Sequence, residues 1–216
     1  MGESLGPFPF LIFAVLAGYL IGAIPVADRI SRRNGIDIFN VGTRQAGASN
    51  VRKSVGNRSA ALVLAGDFAK GMLSIFAARS LGIESPWILL PAIAVLIGHW
   101  SSVFSGFRGG DGLATLGGVT LALFGFYGLI SAVIAGLVSL GGQKMPYTSL
   151  LSIVLGYITL ATLSFAYYGE TALTFGAGGL AALVLARAMR SHMLRRRGDM
   201  WVDVVETDAT AEGTGH

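Results

Sequence analysis

"LATLGGVTLALFGFYGLISAVIAGLVSL", residues 113–140, is the stretch on which the fold turns. It carries no charged residue and several glycines. A bilayer's hydrocarbon core takes about 20 apolar residues per helical crossing. As one tilted helix the stretch crosses once; broken near "FGFYG" (124–128) it crosses twice, as two short helices. Its own composition allows both readings, so the flanks must choose.

Outward from it, apolar runs recur at about 10–28, 59–78, 87–106, 149–168 and 171–189. Charged residues make up 13% of the 216-residue chain, where a soluble domain averages about 25%, and the mean hydropathy is +0.65. These are the marks of an all-α, polytopic integral membrane protein. The 16 Lys and Arg residues fix its orientation. Arg29, Arg32 and Arg33, then Arg44, Arg52, Lys53 and Arg58, fill the first long connection; Arg108 follows the third run and Lys144 follows residue 140. Arg187, Arg190 and Arg195 to Arg197 follow the last run. The connections near 79–86 and 166–172 offer Arg79 alone. Cytoplasmic loops carry the excess of Lys and Arg, so the N-terminus is expected outside and the C-terminus in the cytoplasm. A single crossing by 113–140 would export Lys144 and the Arg-rich end. Two crossings keep every basic cluster inside, which gives about seven spans.

Residues 1–190 then read as one membrane-embedded domain. The remainder, 191–216, reads as a cytoplasmic tail; "GDMWVDVVETDATAEGTGH" holds five acids and no Lys or Arg, a composition expected to lack fixed structure. The first run is not expected to be a cleaved signal, because its flank "MGESLGPFPF" has Glu3 and no cation where a secretory leader is positive. With no cysteine, disulfides and thiolate metal sites are excluded. His99, His192 and His216 form no ligand cluster, so no metal or cofactor is expected. The pI near 9.7 reflects charges beside spans, where anionic lipid accounts for them; nucleic acid is not the expected partner.

Several residues sit where apolar surroundings make them costly. Asp67 and Lys70 lie mid-span in "SAALVLAGDFAKGMLSIFAA" (59–78), each at about 2.5–3.5 kcal/mol on insertion scales. Their i, i+3 spacing puts them on one helical face. They read either as a structural ion pair or as the border of a polar substrate cavity. His99 ends the third run in "GHWSSVFSGFRGGDG" (98–112), where Arg108 and a glycine-rich turn precede the next helix. Such a turn presents free N–H groups and suits a phosphate. Asp111 repels an anion there; capping the helix that begins at Leu113 is the milder role for it. Loop 39–56, "FNVGTRQAGASNVRKSVG", mixes Gly42, Gly47 and Gly56 with hydroxyls, amides and cations. It reads as an anion cradle or as an ordinary basic cytoplasmic loop, and no GxxxxGK[ST] is present.

These motifs together resemble the acyl-phosphate-dependent glycerol-3-phosphate acyltransferases of bacteria, the PlsY family. Family members look like "GSGNxGATNVxR", "DxxKG" and "GHxxPxFxxFKGGKGVAT", in that order. This chain reads "GTRQAGASNVRK", "DFAKG" and "GHWSSVFSGFRGGDGLAT", with "GYLIGAIPVADRI" (18–30) and "YTSLLSI" (147–153) similar to other family segments. The resemblance spans about 14–190. It implies a seven-span, N-outside enzyme of the bacterial inner membrane with its site facing the cytoplasm. It also implies transfer of an acyl group from acyl phosphate to the 1-hydroxyl of glycerol 3-phosphate, giving lysophosphatidic acid in phospholipid synthesis. The HxxxxD pair of thioester-dependent acyltransferases is absent, since Phe104 stands five residues after His99.

By the same resemblance, Gly42, Thr43, Gln45, Gly47, Ser49 and Asn50 would take the acyl phosphate. Lys53, Lys70, His99, Arg108 and Asn50 would grip glycerol phosphate, with Gly109, Gly110 and Ser149 also contributing to binding. Thr43, His99 and Lys70 are the catalytic candidates, and the departing phosphate itself can accept the hydroxyl proton. The chain departs from the pattern at Thr43-Arg44-Gln45 for Ser-Gly-Asn, Lys53 for Arg, Ser102 for Pro and Asp111 for Lys. The family's "RHRENI" is barely recognisable in "RAMRSH" (187–192). Arg44 is one candidate to restore the charge lost at Asp111. Two further readings follow from these departures: a relative that acylates another acceptor, and a non-catalytic lipid or phosphate binder or transporter. No internal repeat supports transport.

Overall fold

The computed structural model describes residues 8–142 and 147–212, and among them there is helix and no strand. Lys144, used above for topology, lies outside the described residues. Helix α1 (Phe8–Ala23) is followed by the short amphipathic α2 (Val26–Arg33) and α3 (Ala48–Ser54). Then come α4 (Asn57–Ser80), α5 (Leu89–Trp100), α6 (Leu113–Phe124), α7 (Phe126–Gly141), α8 (Thr148–Leu163) and α9 (Thr171–Glu212). Four stretches are long and apolar enough to cross a membrane, Phe10–Arg33, Asn57–Ser80, Thr148–Tyr168 and Thr171–Ser191; α5, α6 and α7 are shorter apolar helices.

Stretch 113–140 is two helices. They break at Gly125, whose φ of 56° and ψ of −124° suit a residue without a Cβ. Two expected boundaries shift. The run 10–28 ends as helix at Ala23, because Pro25 has no N–H and disfavours helical backbone at Ile24. The run 87–106 is α-helical only from Leu89 to Trp100, and residues 101–112 form a turn with a short 3-10 segment at Val103–Ser105 and an isolated bridge between Ser102 and Arg108. At the other end, α9 continues through the acidic tail to Glu212.

Close helix contacts explain the bundle. Gly18 and Gly22 on α1 meet the backbones of Pro91 and Val95 on α5, and Gly98 on α5 meets that of Tyr19 on α1. A Cβ at Gly22 would strike the backbone of Val95, and one at Gly98 the carbonyl of Tyr19. Small residues let backbones approach this way where apolar lipid gives helices no hydrophobic drive to associate. Gly71 on α4 and Gly118 on α6 do the same, against the backbones of Thr115 and Phe68.

These contacts set a common depth. Helix α1 ends beside Lys70, whose Nζ donates to the Ile24 carbonyl at 3.3 Å. Helix α5 ends with His99 beside Asp67, and α6 begins two residues before Thr115, against Gly71. From Asn57 to Lys70, α4 advances about 20 Å, at about 1.5 Å per residue. Three helices therefore stop partway along α4, and the space they leave is filled by α2, loop 34–47, α3 and the 101–112 turn.

Candidate active site

Asp67, Lys70 and His99 form a buried polar cluster at that depth, with relative exposures of 3%, 5% and 6%. Lys70 Nζ lies 2.9 Å from Asp67 Oδ1. His99 Nδ1 stands 3.7 Å from the same oxygen, beyond hydrogen-bond reach, and has no hydrogen-bond partner among the described residues. Burial of both charges is sustained by this contact and by the Ile24 carbonyl.

The cluster opens on a small cleft walled by the end of α1, the 101–112 turn and Ala46 of loop 42–47. Gly22, Ile24, Pro25 and Val26 form one side; Ser102, Ser105, Arg108 and Gly109 form another; Ala46 closes the third. Its inner volume is about 10 Å³, room for about one water. The loop reaches the turn directly, since Ala46 N–H donates to the Gly109 carbonyl at 3.3 Å. Gly110 is wedged between the Ala46 carbonyl and His99 Nε2, so that any side chain there would push them apart. Ser102, where the family has proline, donates its hydroxyl to the Ala23 carbonyl and ties the turn to α1. Tyr19 OH makes a second tie, to the Ser101 carbonyl at 3.0 Å.

Of the residues singled out from sequence, Lys70, His99, Arg108, Gly109 and Gly110 thus come together. Arg108 is exposed; its guanidinium lies 4.4 Å over the Phe39 ring, and its Nε donates to the Ser105 carbonyl at 3.4 Å. Asn50 has another use. It is 1% exposed, and its Nδ2 donates to the carbonyls of Ile38, Val41 and Gln45 at 3.2, 3.1 and 3.0 Å. Its Oδ1 accepts from Thr43 N–H at 3.2 Å. Asn50 is the pin around which the loop folds. Gly42 is left-handed at φ 54° with its α-carbon facing Asn50 Oδ1. Thr43, Gln45, Gly47, Ser49 and Lys53 surround the pin without walling the cleft; Ser49 and Lys53 are exposed on α3. Ser149 lies in the first turn of α8, among contacts with α7 and α9, and shares no wall with the cleft.

Asp111 does not cap α6. The N-cap is Gly112, left-handed at φ 90° and without a side chain to offer. The carboxylate of Asp111 lies within electrostatic reach of Arg187, which is a nearby counter-charge for it. Arg187 is the functional candidate that sequence reasoning missed. Its Nε donates to the Gly110 carbonyl at 3.2 Å, its Nη2 donates to the Trp100 carbonyl at 3.0 Å, and its guanidinium lies 5.6 Å over the Trp100 ring. The available signal was its place at the head of the degenerate "RAMRSH" segment.

Comparisons with known proteins give the family and the fold. The glycerol-3-phosphate acyltransferase family model matches residues 12–196. Glycerol-3-phosphate acyltransferase 1 of Deinococcus radiodurans is 44% identical over 124 residues, 57% of this chain and 63% of that protein, less than two thirds of its length. The glycerol-3-phosphate acyltransferase of Roseiflexus is 33% identical over 186 residues, 85% of this chain and 91% of that one; that of Laribacter hongkongensis is 35% identical over 188 residues, 85% and 90%. A crystal structure of PlsY, an integral membrane glycerol 3-phosphate acyltransferase, in its glycerol 3-phosphate form superposes with a TM-score of 0.71. It is 32% identical and covers 87% of this chain and 92% of that one.

Proposed function

The chain belongs to the glycerol-3-phosphate acyltransferase family, and from that membership we propose that it acylates the 1-hydroxyl of glycerol 3-phosphate with acyl phosphate as donor. The hydroxyl oxygen attacks the donor's carbonyl carbon, the bond from that carbon to the phosphate oxygen breaks, and inorganic phosphate leaves with the hydroxyl proton. Acyl phosphate is already activated, so the protein has to align two anionic substrates and stabilise developing charge. The observation that carries the reading is the convergence of Lys70, His99, Arg108 and the Gly109–Gly110 backbone on one cleft closed by loop 42–47.

In this reading Lys70 and Arg108 hold phosphate oxygens and His99 orients the acceptor. Gly42, Thr43, Gln45, Gly47, Ser49 and Lys53 form the outer, donor-facing rim, with Asn50 setting the rim's shape. Ser149 stands apart from the cleft, in the first turn of α8. The seven apolar helices cross the bacterial inner membrane with the N-terminus outside and the cleft facing the cytoplasm. An α9 of 42 residues is about 63 Å long, twice the hydrocarbon thickness, so its part after residue 190 extends beyond the membrane domain.

Purified protein in detergent, given palmitoyl phosphate and labelled glycerol 3-phosphate, is expected to yield labelled lysophosphatidic acid. The carboxylate at Asp111, in a turn proposed to receive an anion, favours a second reading in which a less phosphorylated polyol is the acceptor. Acylation of glycerol in that assay without any lysophosphatidic acid would select it, and no transfer to either acceptor would remove both.

A further inference from the structure

We infer that Arg187 is a positioning residue, which from the last helix holds shut the base of the 101–109 turn and so fixes Gly110 against His99. The base of this excursion is laced at three points. Gly110 N–H donates to the His99 carbonyl at 3.4 Å. Trp100 Nε1–H donates to the Asp111 carbonyl at 2.9 Å. Arg187 then bridges the two sides of the base, one nitrogen on the Trp100 carbonyl and another on that of Gly110. Both acceptors need such a donor. The Trp100 carbonyl lies at the C-terminal end of α5, where the last turn leaves carbonyls without helical partners, and the Gly110 carbonyl lies just outside α6.

Only a guanidinium suits this position. Its planar fork reaches two carbonyls while its face stacks on Trp100, whereas a lysine ammonium acts as a single point charge. The nearby Asp111 carboxylate favours a positive charge at this position. The consequence reaches the cleft through Gly110, whose backbone abuts both His99 Nε2 and the Ala46 carbonyl. Release the fork, and the contact between the turn and loop 42–47 loses its fixed register.

The test uses Arg187→Lys and Arg187→Gln in the full-length protein, purified in detergent. Hydrogen exchange at residues 109–112 is expected to quicken about tenfold or more in both variants, with the α1–α5 contact unaffected. The kinetic half rests on the acyltransferase reading: kcat/KM for glycerol 3-phosphate is expected to fall by about 100-fold, the order seen for a misplacement of about 1 Å, mainly through KM. Arg187→Lys decides the matter should Arg187→Gln not fold. A lysine variant with parental exchange and parental KM overturns the inference. Where the parent itself transfers no acyl group, the functional reading falls and exchange alone decides the role of Arg187: unchanged protection at 109–112 rejects it, and lost protection sustains it.

Discussion

Lys70 and Asp67 show how a buried pair can be separated into its structural and functional parts. Each is almost fully enclosed and they touch at 2.9 Å. Removing one partner leaves an uncompensated buried charge, which costs about 3–5 kcal/mol. Lys70→Met and Asp67→Asn are each expected to lower the thermal midpoint in detergent by that equivalent. The double variant is expected to regain much of the stability and none of the acyl transfer. Acyl transfer by the double variant would make the pair an architectural device alone. Asn50 invites a sharper change. Asn50→Asp keeps the shape but takes away both amide hydrogens and turns a carboxylate toward three carbonyls, each unmet group at about 1–3 kcal/mol. Faster proteolysis at loop 39–56 and loss of activity are expected together; an active variant with a protected loop would contradict the pin. The sequence made Lys70 legible because a charge inside an apolar run is conspicuous. It could not separate a pin from a ligand at Asn50, since both uses ask for an amide. Arg187 was hidden for another reason: its acceptors stand 77 and 87 residues away, and its place beside other cations explained it without them.

At the scale of elements, glycine positions carry most of the packing that sequence periodicity did not reveal. Gly98 lies where α5 meets the Tyr19 carbonyl of α1, and a methyl group there has nowhere to go. Gly98→Ala is expected to destabilise the protein by about 1–3 kcal/mol, the usual cost of overpacking, and to weaken the tie between Tyr19 and Ser101. Gly136→Ala on α7 meets nothing within 4 Å. It is expected to be neutral or to gain up to about 1 kcal/mol from helix propensity. Equal effects from the two would remove close approach as the reason α1 and α5 pair. The break of 113–140 at Gly125 was legible through charge placement, a constraint acting across the whole chain. The early ends of α1 and α5 were not, because Ile24 to Asp28 and Ser101 to Phe107 remain apolar enough to extend a hydropathy run while Pro25 and the serine-glycine turn end the helix.

For the whole molecule, the early ends and the topology make one argument. Helices α5 and α6 have 12 residues each, about 18 Å against roughly 30 Å of hydrocarbon. If both cross, the 101–112 turn lies at membrane depth, where irregular backbone is tolerated only when protein covers it or it lines a wet cavity. Loop 42–47 and Arg187 then cover its base at Trp100, Gly109 and Gly110, while the exposed Val103, Phe104 and Phe107 turn apolar side chains outward. The chain has no cysteine, so single substitutions report sidedness directly. Ser49→Cys, exposed on α3, is expected to react with a membrane-impermeant maleimide only after cells are opened. Glu84→Cys, in the connection after α4, and Phe126→Cys, at the exposed start of α7, are expected to react in intact cells. Labelling of Ser49→Cys from outside would invert the molecule. Protection of Phe126→Cys in intact cells, with Glu84→Cys reactive, would mean that α6 and α7 dip into the membrane and return without reaching the far side. The 101–112 turn would then need no burial at depth, and the explanation of the short helices would fail with those two crossings.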